Sequence, residues 1–515
     1  MQEAKQAENQ ISKNNKKIAK NTGLLYLRML FTMGVSLYTS RIVLEELGEI
    51  NYGIYNVIGG VVVMFAFVNY AMSCATNRFM AFNLGGGKKS KLSVVFSASI
   101  LIHFCIAIFI FVFAETIGLW FLNNKMTIPN DRIIAAGWVF HLSVVSTIIM
   151  VLSVPYNALI IAHEKMNIYA YVSIIESVLK LVLILMLGRY SGDKLILYAF
   201  LMLVTNLTIR VIYQIYCNRI FTEIKFSFKI ERELLVDMST YAFWSLSGSI
   251  ANLFTQEGLN ILLNFFFNPA VNAARGIAVQ IRMAIQKFSS SFQQAMSPQI
   301  NISYASGDIK YMHQLVLSSS KYSFYLLFFL SLPVLLETEF ILSIWLKQVP
   351  DHTVRFVQLM IIIGMLTALA NPISTAAGAH GKIRNFQLIV GGINIMVVPI
   401  SYFVLKQFAI PEYVFIVQII ISIIAQIARL LLIKNMIEFS LYNYFKEVVL
   451  KGAEVTLVGI ILPIILVLNL PNELFSFIIV GFSCVFSVGT AIYFIGLSKS
   501  EKEFIDTKVI QIFRK

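Results

Sequence analysis

Charge is what this sequence has least of. Only 13% of its 515 residues are Asp, Glu, Lys or Arg, whereas soluble chains run near a quarter, and no hydrophilic stretch is long enough to fold by itself. That excludes a soluble enzyme and a nucleic-acid-binding domain. Cysteine is scarce as well. Cys74, Cys105, Cys217 and Cys484 have neither paired nor C-x-x-C spacing, so no disulfide framework and no metal site follows. Catalytic signatures are missing too: His163-Glu164 lacks the second histidine of H-E-x-x-H, no P-loop occurs, and Gly85-Gly86-Gly87 follows an apolar run rather than a strand and reads as a turn. With the longest loop only about twenty residues, a membrane-embedded transferase has nowhere to hold a soluble substrate. The chain is expected to be no enzyme and to need no cofactor.

What it has is hydrophobicity, at 58% of residues and a mean hydropathy of +0.76. Runs of about 20 apolar residues, the length that crosses a bilayer, recur throughout and predict an all-α polytopic membrane protein of about fourteen transmembrane helices. The expected spans are 20–43, 50–82, 92–113, 133–161, 168–187, 195–216, 238–265, 272–300, 312–335, 354–377, 385–405, 412–433, 448–468 and 474–497. The polar, lysine-bearing start and the absence of a small-residue cleavage site argue against a signal peptide. Lys and Arg outside the runs crowd the segments on the amino-terminal side, so that side is read as cytoplasmic, with both termini on it. The formal charge of +14 follows from this asymmetry without nucleic acid.

The chain also repeats itself. Pro155, seven residues, then His163-x-Lys165 recurs 217 residues later as Pro372, seven residues, then His380-x-Lys382, each His preceded by Ala. Gly85-Gly86-Gly87 corresponds to Ala305-Ser306-Gly307 at an offset of 220, and Leu119-Trp120 to Ile344-Trp345. Six spans per repeat is an even number, so the repeats run parallel, as in transporters with a site between two halves. The expected divisions are an amino-terminal six-helix lobe over 1–220, a second over 221–437, and two further helices with a basic tail over 438–515. Between the lobes, the alternation of Ile224, Phe226, Phe228 and Ile230 with Lys225, Ser227 and Lys229 reads as a segment lying on the membrane surface.

Cations inside apolar runs outnumber anions. A charge at the bilayer centre costs at least ~2.5–3.5 kcal/mol, so such residues face a partner, a headgroup or a wet cavity. Arg41, Arg78, Lys321 and Arg429 lie near span ends where they can snorkel, Lys180 pairs with Glu176 four residues earlier, and Arg210 is left open. Elsewhere polar residues form stripes. Ser245, Ser249, Asn252, Gln256, Asn260 and Asn264 share one helical face, and Arg275, Arg282, Gln286, Ser289, Gln293 and Ser297 share another. Asn21, Arg28, Thr32, Ser36 and Thr39 form a sparser third. Single polar residues serve as well to glue helices together; stripes containing arginine favour a wet cavity for an anion, because guanidinium holds phosphate bidentately. Glu257, among apolar neighbours, is read as a buried carboxylate, equally a candidate for H+ or Na+ coupling and for pairing with an arginine of the neighbouring span. His103 and His141 are read as core histidines.

Leu37-Tyr38-Thr39-Ser40-Arg41, Asn51-Tyr52-Gly53-Ile54-Tyr55-Asn56, Arg78-Phe79, Pro155-Tyr156-Asn157-Ala158 and Ala162-His163-Glu164-Lys165-Met166 resemble the Wzx-type polysaccharide flippases, especially those of Bacteroides-like bacteria. The resemblance spans roughly residues 17–435 and implies a MATE-like fold: two pseudo-symmetric six-helix lobes in a V around a cavity that opens alternately to each side. It implies as cargo an undecaprenyl-pyrophosphate-linked oligosaccharide, moved across the bacterial inner membrane for O-antigen, capsule or exopolysaccharide synthesis, with membrane lipids and other polysaccharide assembly proteins as partners. The stretch Pro298 to Asp308 is similar to that of lipid II flippases, in which arginines of spans one, two and eight bind pyrophosphate. Arg28 and Arg282 fall at matching places; the span-two arginine has no counterpart, since Arg78 lies nearer the inner face. The expected substrate contacts are therefore Arg28, Arg275, Arg282, Gln286, Asn252, Gln256 and Asn260. Drug exporters of this fold place carboxylates in spans one and seven; only Glu257 fits, which leaves a cation-coupled MATE-type multidrug exporter as the alternative.

Overall fold

The structure, a computed structural model, describes residues 2–63, 66–87, 89–125, 128–221, 231–267, 269–346, 349–471, 473–498, 501–503 and 506. The alternating segment 224–230 lies outside the described residues. Every regular element among them is helical, and the chain divides into two compact units, Met1–Ser249 with Asn301–Asp308, and Ile250–Ile300 with Ile309–Lys515.

The first unit is built from α1 (Gln2–Val63), α2 (Ala66–Gly85), α3 (Lys89–Phe113), α4 (Leu119–Lys125), α5 (Ile133–Ala162), α6 (Met166–Leu185) and α7 (Lys194–Ile220), with the beginning of α8 (Arg232–Phe266) and the end of α9 (Pro269–Ala305). α1 is broken at Gly48, where φ 74° and ψ 165° separate the first two apolar runs; the positive φ suits glycine. The second unit holds the rest of α8 and α9, then α10 (Ile309–Leu336), α11 (Thr338–Trp345), α12 (Thr353–His380), α13 (Arg384–Ile395), α14 (Val397–Phe408), α15 (Tyr413–Ile437), α16 (Leu441–Tyr444), α17 (Lys451–Asn469) and α18 (Leu474–Ala491).

The repeat reappears in the packing. In the first unit α5 lies against α7 and α3, and in the second the corresponding α12 lies against α15 and α10. Both copies of the proline motif end at a residue of positive φ. Glu164 and Gly381 occupy equivalent positions and both take positive φ, 56° and 94°. At the first, the Lys165 N–H reaches the Ile160 carbonyl at 3.0 Å and the Glu164 N–H that of Ile161 at 2.8 Å, the paired bonds of a left-handed helix stop. Left-handed backbone costs a non-glycine residue about 1–2 kcal/mol. Glu164 offsets it through its buried carboxylate, which pairs with Lys17. The second landmark behaves likewise, with φ of 68° at Gly87 and 80° at Gly307.

Among the described residues ten helices are long and apolar enough to cross a membrane, from Lys91–Leu122 to Leu474–Gly496. The protein is a multi-pass membrane protein. The other four of the fourteen expected spans are the first two of each repeat. They are helical where described, and three of them carry the polar stripes, which dilute their apolar runs. Crossing by these four rests on helical length alone, 35 residues in α8 and 37 in α9.

Lipid gives helices no hydrophobic reason to associate, so close contact depends on small side chains. α12 buries Ala368, Ala370, Ala376, Ala377 and Ala379. α8 turns Ala251, Thr255 and Gly258 toward α13 and α14: the Thr255 hydroxyl donates to the Asn394 carbonyl at 3.0 Å, and a Cβ on Gly258 would lie 2.6 Å from Val398. Gly85, read from sequence as a turn residue, is a contact residue at the end of α2, because a Cβ there would meet the Ile302 carbonyl at 2.5 Å. Gly85→Ala should lower the thermal midpoint in detergent by the equivalent of about 1–3 kcal/mol. Gly86→Ala, where the nearest atom would lie at 3.4 Å, should be close to neutral.

Candidate functional site

In the second unit the structure brings together residues that sequence placed on two stripes. Burial of Ala251, Thr255, Leu259 and Leu262 turns the opposite face of α8 outward, so Asn252 is exposed and Gln256 and Asn260 are half-buried. Arg275 on α9 is buried, and its Nη2 donates to the Gln256 carbonyl at 2.8 Å and to the Gln256 side-chain oxygen at 3.2 Å. Glu257 is exposed rather than buried, because its neighbour Gly258, not Glu257, faces α14; its carboxylate attracts Arg275. Arg282 is two turns further along α9, close enough to repel Arg275. Its stem packs where Gly364 of α12 has no side chain, with Cγ 3.3 Å from the position of a Cβ. Its Nε is buried without a hydrogen-bond partner. Gln286, one turn on, is half-buried.

The α9 stripe divides by role. Gln293 bonds to the Ser323 hydroxyl and the Ala368 carbonyl, each at 3.0 Å, and accepts from Asn371 at 3.1 Å, so it ties α9 to α10 and α12. Arg275 also spends its Nη2 on the protein, while its Nε, like that of Arg282, is buried and unbonded. Arg282 alone of this stripe's arginines has no such bond. In the first unit Arg28 lies over the Tyr169 ring, 4.8 Å from its centroid, with its Nε buried and unbonded.

Several other cations of the expected spans have partners of their own. Lys180 pairs with Glu176 at 2.5 Å. Arg78 stacks on Phe79, Phe82 and Tyr241 at the inner end of α2. Lys321, a snorkelling candidate in the sequence, is 5% exposed and bonds both oxygens of Glu501 at 2.9 Å. The span-end rule missed this because Glu501 lies 180 residues away. A cavity of about 420 Å³ beside the start of α12, lined by Glu339, Asp351, His352, Arg355 and Glu412 among others, contains none of the sequence-derived candidates. His103 bonds the Ser99 carbonyl at 2.7 Å within its own helix, while His141 is half-exposed and meets Glu115 at 2.9 Å.

The polysaccharide biosynthesis protein family matches residues 18–301, from the arginine of α1 through both polar stripes. The chain belongs to that family. The transporter's backbone is similar to that of a MATE crystal structure in the straight conformation, at 15% identity over 82% of this chain and 96% of the other, with a TM-score of 0.73. An outward-facing multidrug resistance MATE family transporter of the MOP superfamily gives the same identity, coverage and TM-score, 15%, 82%, 96% and 0.73. A MOP superfamily transporter from Pyrococcus furiosus, described as having a binding pocket of reverse polarity, matches at 14% identity over 82% and 96%, with a TM-score of 0.71. No curated protein sequence matches the chain. These likenesses carry the MATE-like fold. The family adds a role in polysaccharide biosynthesis for this multi-pass membrane protein.

The Lys321 pair makes the transporter sensitive to acid. Burial alone would raise the Glu501 pKa, but hydrogen bonds from Tyr322, Lys321 and the Ser498 N–H outweigh it and hold the carboxyl down at about 2. A depressed pKa stabilises the fold above the unfolded value, about 4.3 for Glu, and that contribution disappears as pH falls through about 2. The thermal midpoint of the wild type should therefore fall more steeply between about pH 4 and 2 than that of Glu501→Gln, which should be less stable at neutral pH.

Proposed function

We propose that the transporter flips undecaprenyl-pyrophosphate-linked oligosaccharide units from the cytoplasmic to the outer leaflet of the bacterial inner membrane by alternating access, supplying O-antigen, capsule or exopolysaccharide synthesis, with both termini cytoplasmic. The observation that carries this reading is Arg282, an arginine within an expected span that has neither a carboxylate nor a hydrogen-bonded partner at its Nε. It stands on the same helical face as Arg275, which meets Gln256 of the amide row Asn252, Gln256 and Asn260. A diphosphate supplies the missing counter-charge bidentately, and amides suit the hydroxyls of sugars. The polyprenyl chain stays in lipid. Family membership supports a saccharide cargo, and the reversed pocket polarity described for the Pyrococcus furiosus relative suits the idea that this fold serves more than one charge class of cargo.

Direction requires the cargo, or a coupling ion, to bind the two access states unequally. Glu257, exposed beside Arg275, is the proposed H+ or Na+ coupling residue. Alternation between a cation and Arg275 as its counter-charge would link ion and anion binding.

Arg282→Ala should abolish delivery of lipid-linked oligosaccharide to the outer leaflet while the protein reaches the membrane at normal levels, with Arg282→Lys retaining part of it. Inward-facing lipid-linked oligosaccharide accumulating in cells is the readout, and wild-type delivery by Arg282→Ala would remove the anion site. In proteoliposomes Glu257→Gln should lose the response of flipping to an imposed proton or sodium gradient; an unchanged gradient response would exclude Glu257 as the coupling group.

A further inference from the structure

Each unit ties together the starts of two corresponding helices, and the two ties differ in chemistry. In the first unit Arg132, the cap residue of α5, donates through Nη1 to Asp193, the cap residue of α7, at 2.8 Å. In the second unit His352 stands at the cap of α12 and Glu412 at the cap of α15, with the His352 Nδ1 2.6 Å from a Glu412 oxygen. Since α5 and α7 correspond to α12 and α15, the repeat has preserved a clasp from cap to cap. Spacing hides it, because the partners lie 61 and 60 residues apart.

The first clasp is anchored on both sides. Asp193 also accepts from the N–H groups of Leu195 at 2.9 Å and Ile196 at 3.3 Å, and a guanidinium keeps its charge at any pH a protein meets. The second is held differently. Glu412 makes no side-chain bond to the start of α15; its side chain is buried and meets His352. His352 takes left-handed backbone, φ 67°, which disfavours a non-glycine residue, so the clasp retains it in a strained place. Its ring stacks on Phe356 at 5.9 Å, and Phe356 meets Phe415 at 4.6 Å in the core of the unit. The other charged groups lining the same cavity among the described residues are Glu339 of α11, Asp351, and Arg355 of α12.

Histidine is the side chain that changes charge between about pH 5 and 8, and carboxylates titrate below that window. With a neutral imidazole the clasp is one ordinary hydrogen bond. With an imidazolium it is an ion pair, whose charge-assisted bond is roughly twice as strong.

We propose that the His352–Glu412 clasp is a pH-sensitive switch that tightens the start of α12 against that of α15 as pH falls, while the Arg132–Asp193 clasp keeps its own pair fixed. On the orientation proposed above both clasps stand on the outer side, which an outward-pumped proton gradient acidifies. The switch is independent of the cargo.

Hydrogen exchange of the full-length protein in nanodiscs, corrected for the intrinsic pH dependence of exchange, reads each clasp locally. In the wild type the starts of α12 and α15 should gain at least about threefold protection between about pH 8 and 5, and the starts of α5 and α7 should not change. His141, which meets Glu115 at 2.9 Å, lies further into α5 than the start that is read. His352→Arg should show the low-pH protection at both pH values and His352→Gln the high-pH protection at both; His352→Arg keeps a cation and serves where His352→Gln fails to fold. Arg132→His should transfer the response to the starts of α5 and α7. A wild type without the response, or a response that survives in His352→Arg, would overturn the switch. Survival of the response in Glu412→Gln would overturn Glu412 as the partner.

Discussion

A cation drawn into hydrocarbon must be given something to hold, and much of this protein's interior follows from how that demand is met. Three solutions recur. Lys321 and Lys180 are paired with carboxylates, Glu501 and Glu176. Arg275 is turned back on the protein, its Nη2 bonded to Gln256. Arg28 and Arg210 lie on aromatic rings, which satisfy the face of a guanidinium and leave its edge, and Arg78 sits among three rings. Arg282 carries none of these arrangements at its Nε. Positive charge left over after structural pairing is the property that an anionic cargo can use, and it is concentrated where the polar stripes are.

The second constraint is the absence of any hydrophobic drive between helices in lipid. Contact has to be made by shape, which explains why alanines line the buried face of α12 and why Gly85 and Gly258 stand where no side chain fits. It also gives α17 and α18 a role that their sequence does not display. They cover α10, with Val455, Val480, Cys484 and Val488 packed around Tyr325, Phe328 and Leu332. The segment that follows delivers Glu501 to Lys321. The two added helices and the ion pair therefore belong to one device, which seals a charged position on α10.

Duplication supplied the frame, and asymmetry between the copies marks what was specialised. A positive φ after the proline helix persists in both repeats, yet glycine provides it at Gly381 while Glu164 provides it at the cost of backbone strain and gains a bond to Lys17. The same pattern holds for charge: the second copy carries Arg275 and Arg282 on one helix, and the first places Arg28 and Arg210 on separate helices. A transporter needs two states of similar energy. Arginines held by rings, or by one carbonyl, are more easily exchanged for a ligand than those fixed in carboxylate pairs.

Composition and periodicity alone determined the all-helical membrane class and the faces on which polar residues gather, because each depends on local properties: hydrophobic length and residue spacing. The resemblance carried by short motifs of the first half pointed to the same family that the match over residues 18–301 identifies. Which polar residues are glue and which remain unpaired was decided only by tertiary structure. Gln293 and Ser289 lie on one stripe, Arg275 and Arg282 on the same face, and nothing in their spacing tells a bonded fork from a free one. Glu257 was read as buried and proved exposed, since a single helical step separates it from the contact face. Lys321 found its counter-charge in a residue far along the chain. A partner brought by folding leaves no periodic trace in sequence, and in this protein such partners decide which charges are spent and which are available to a cargo.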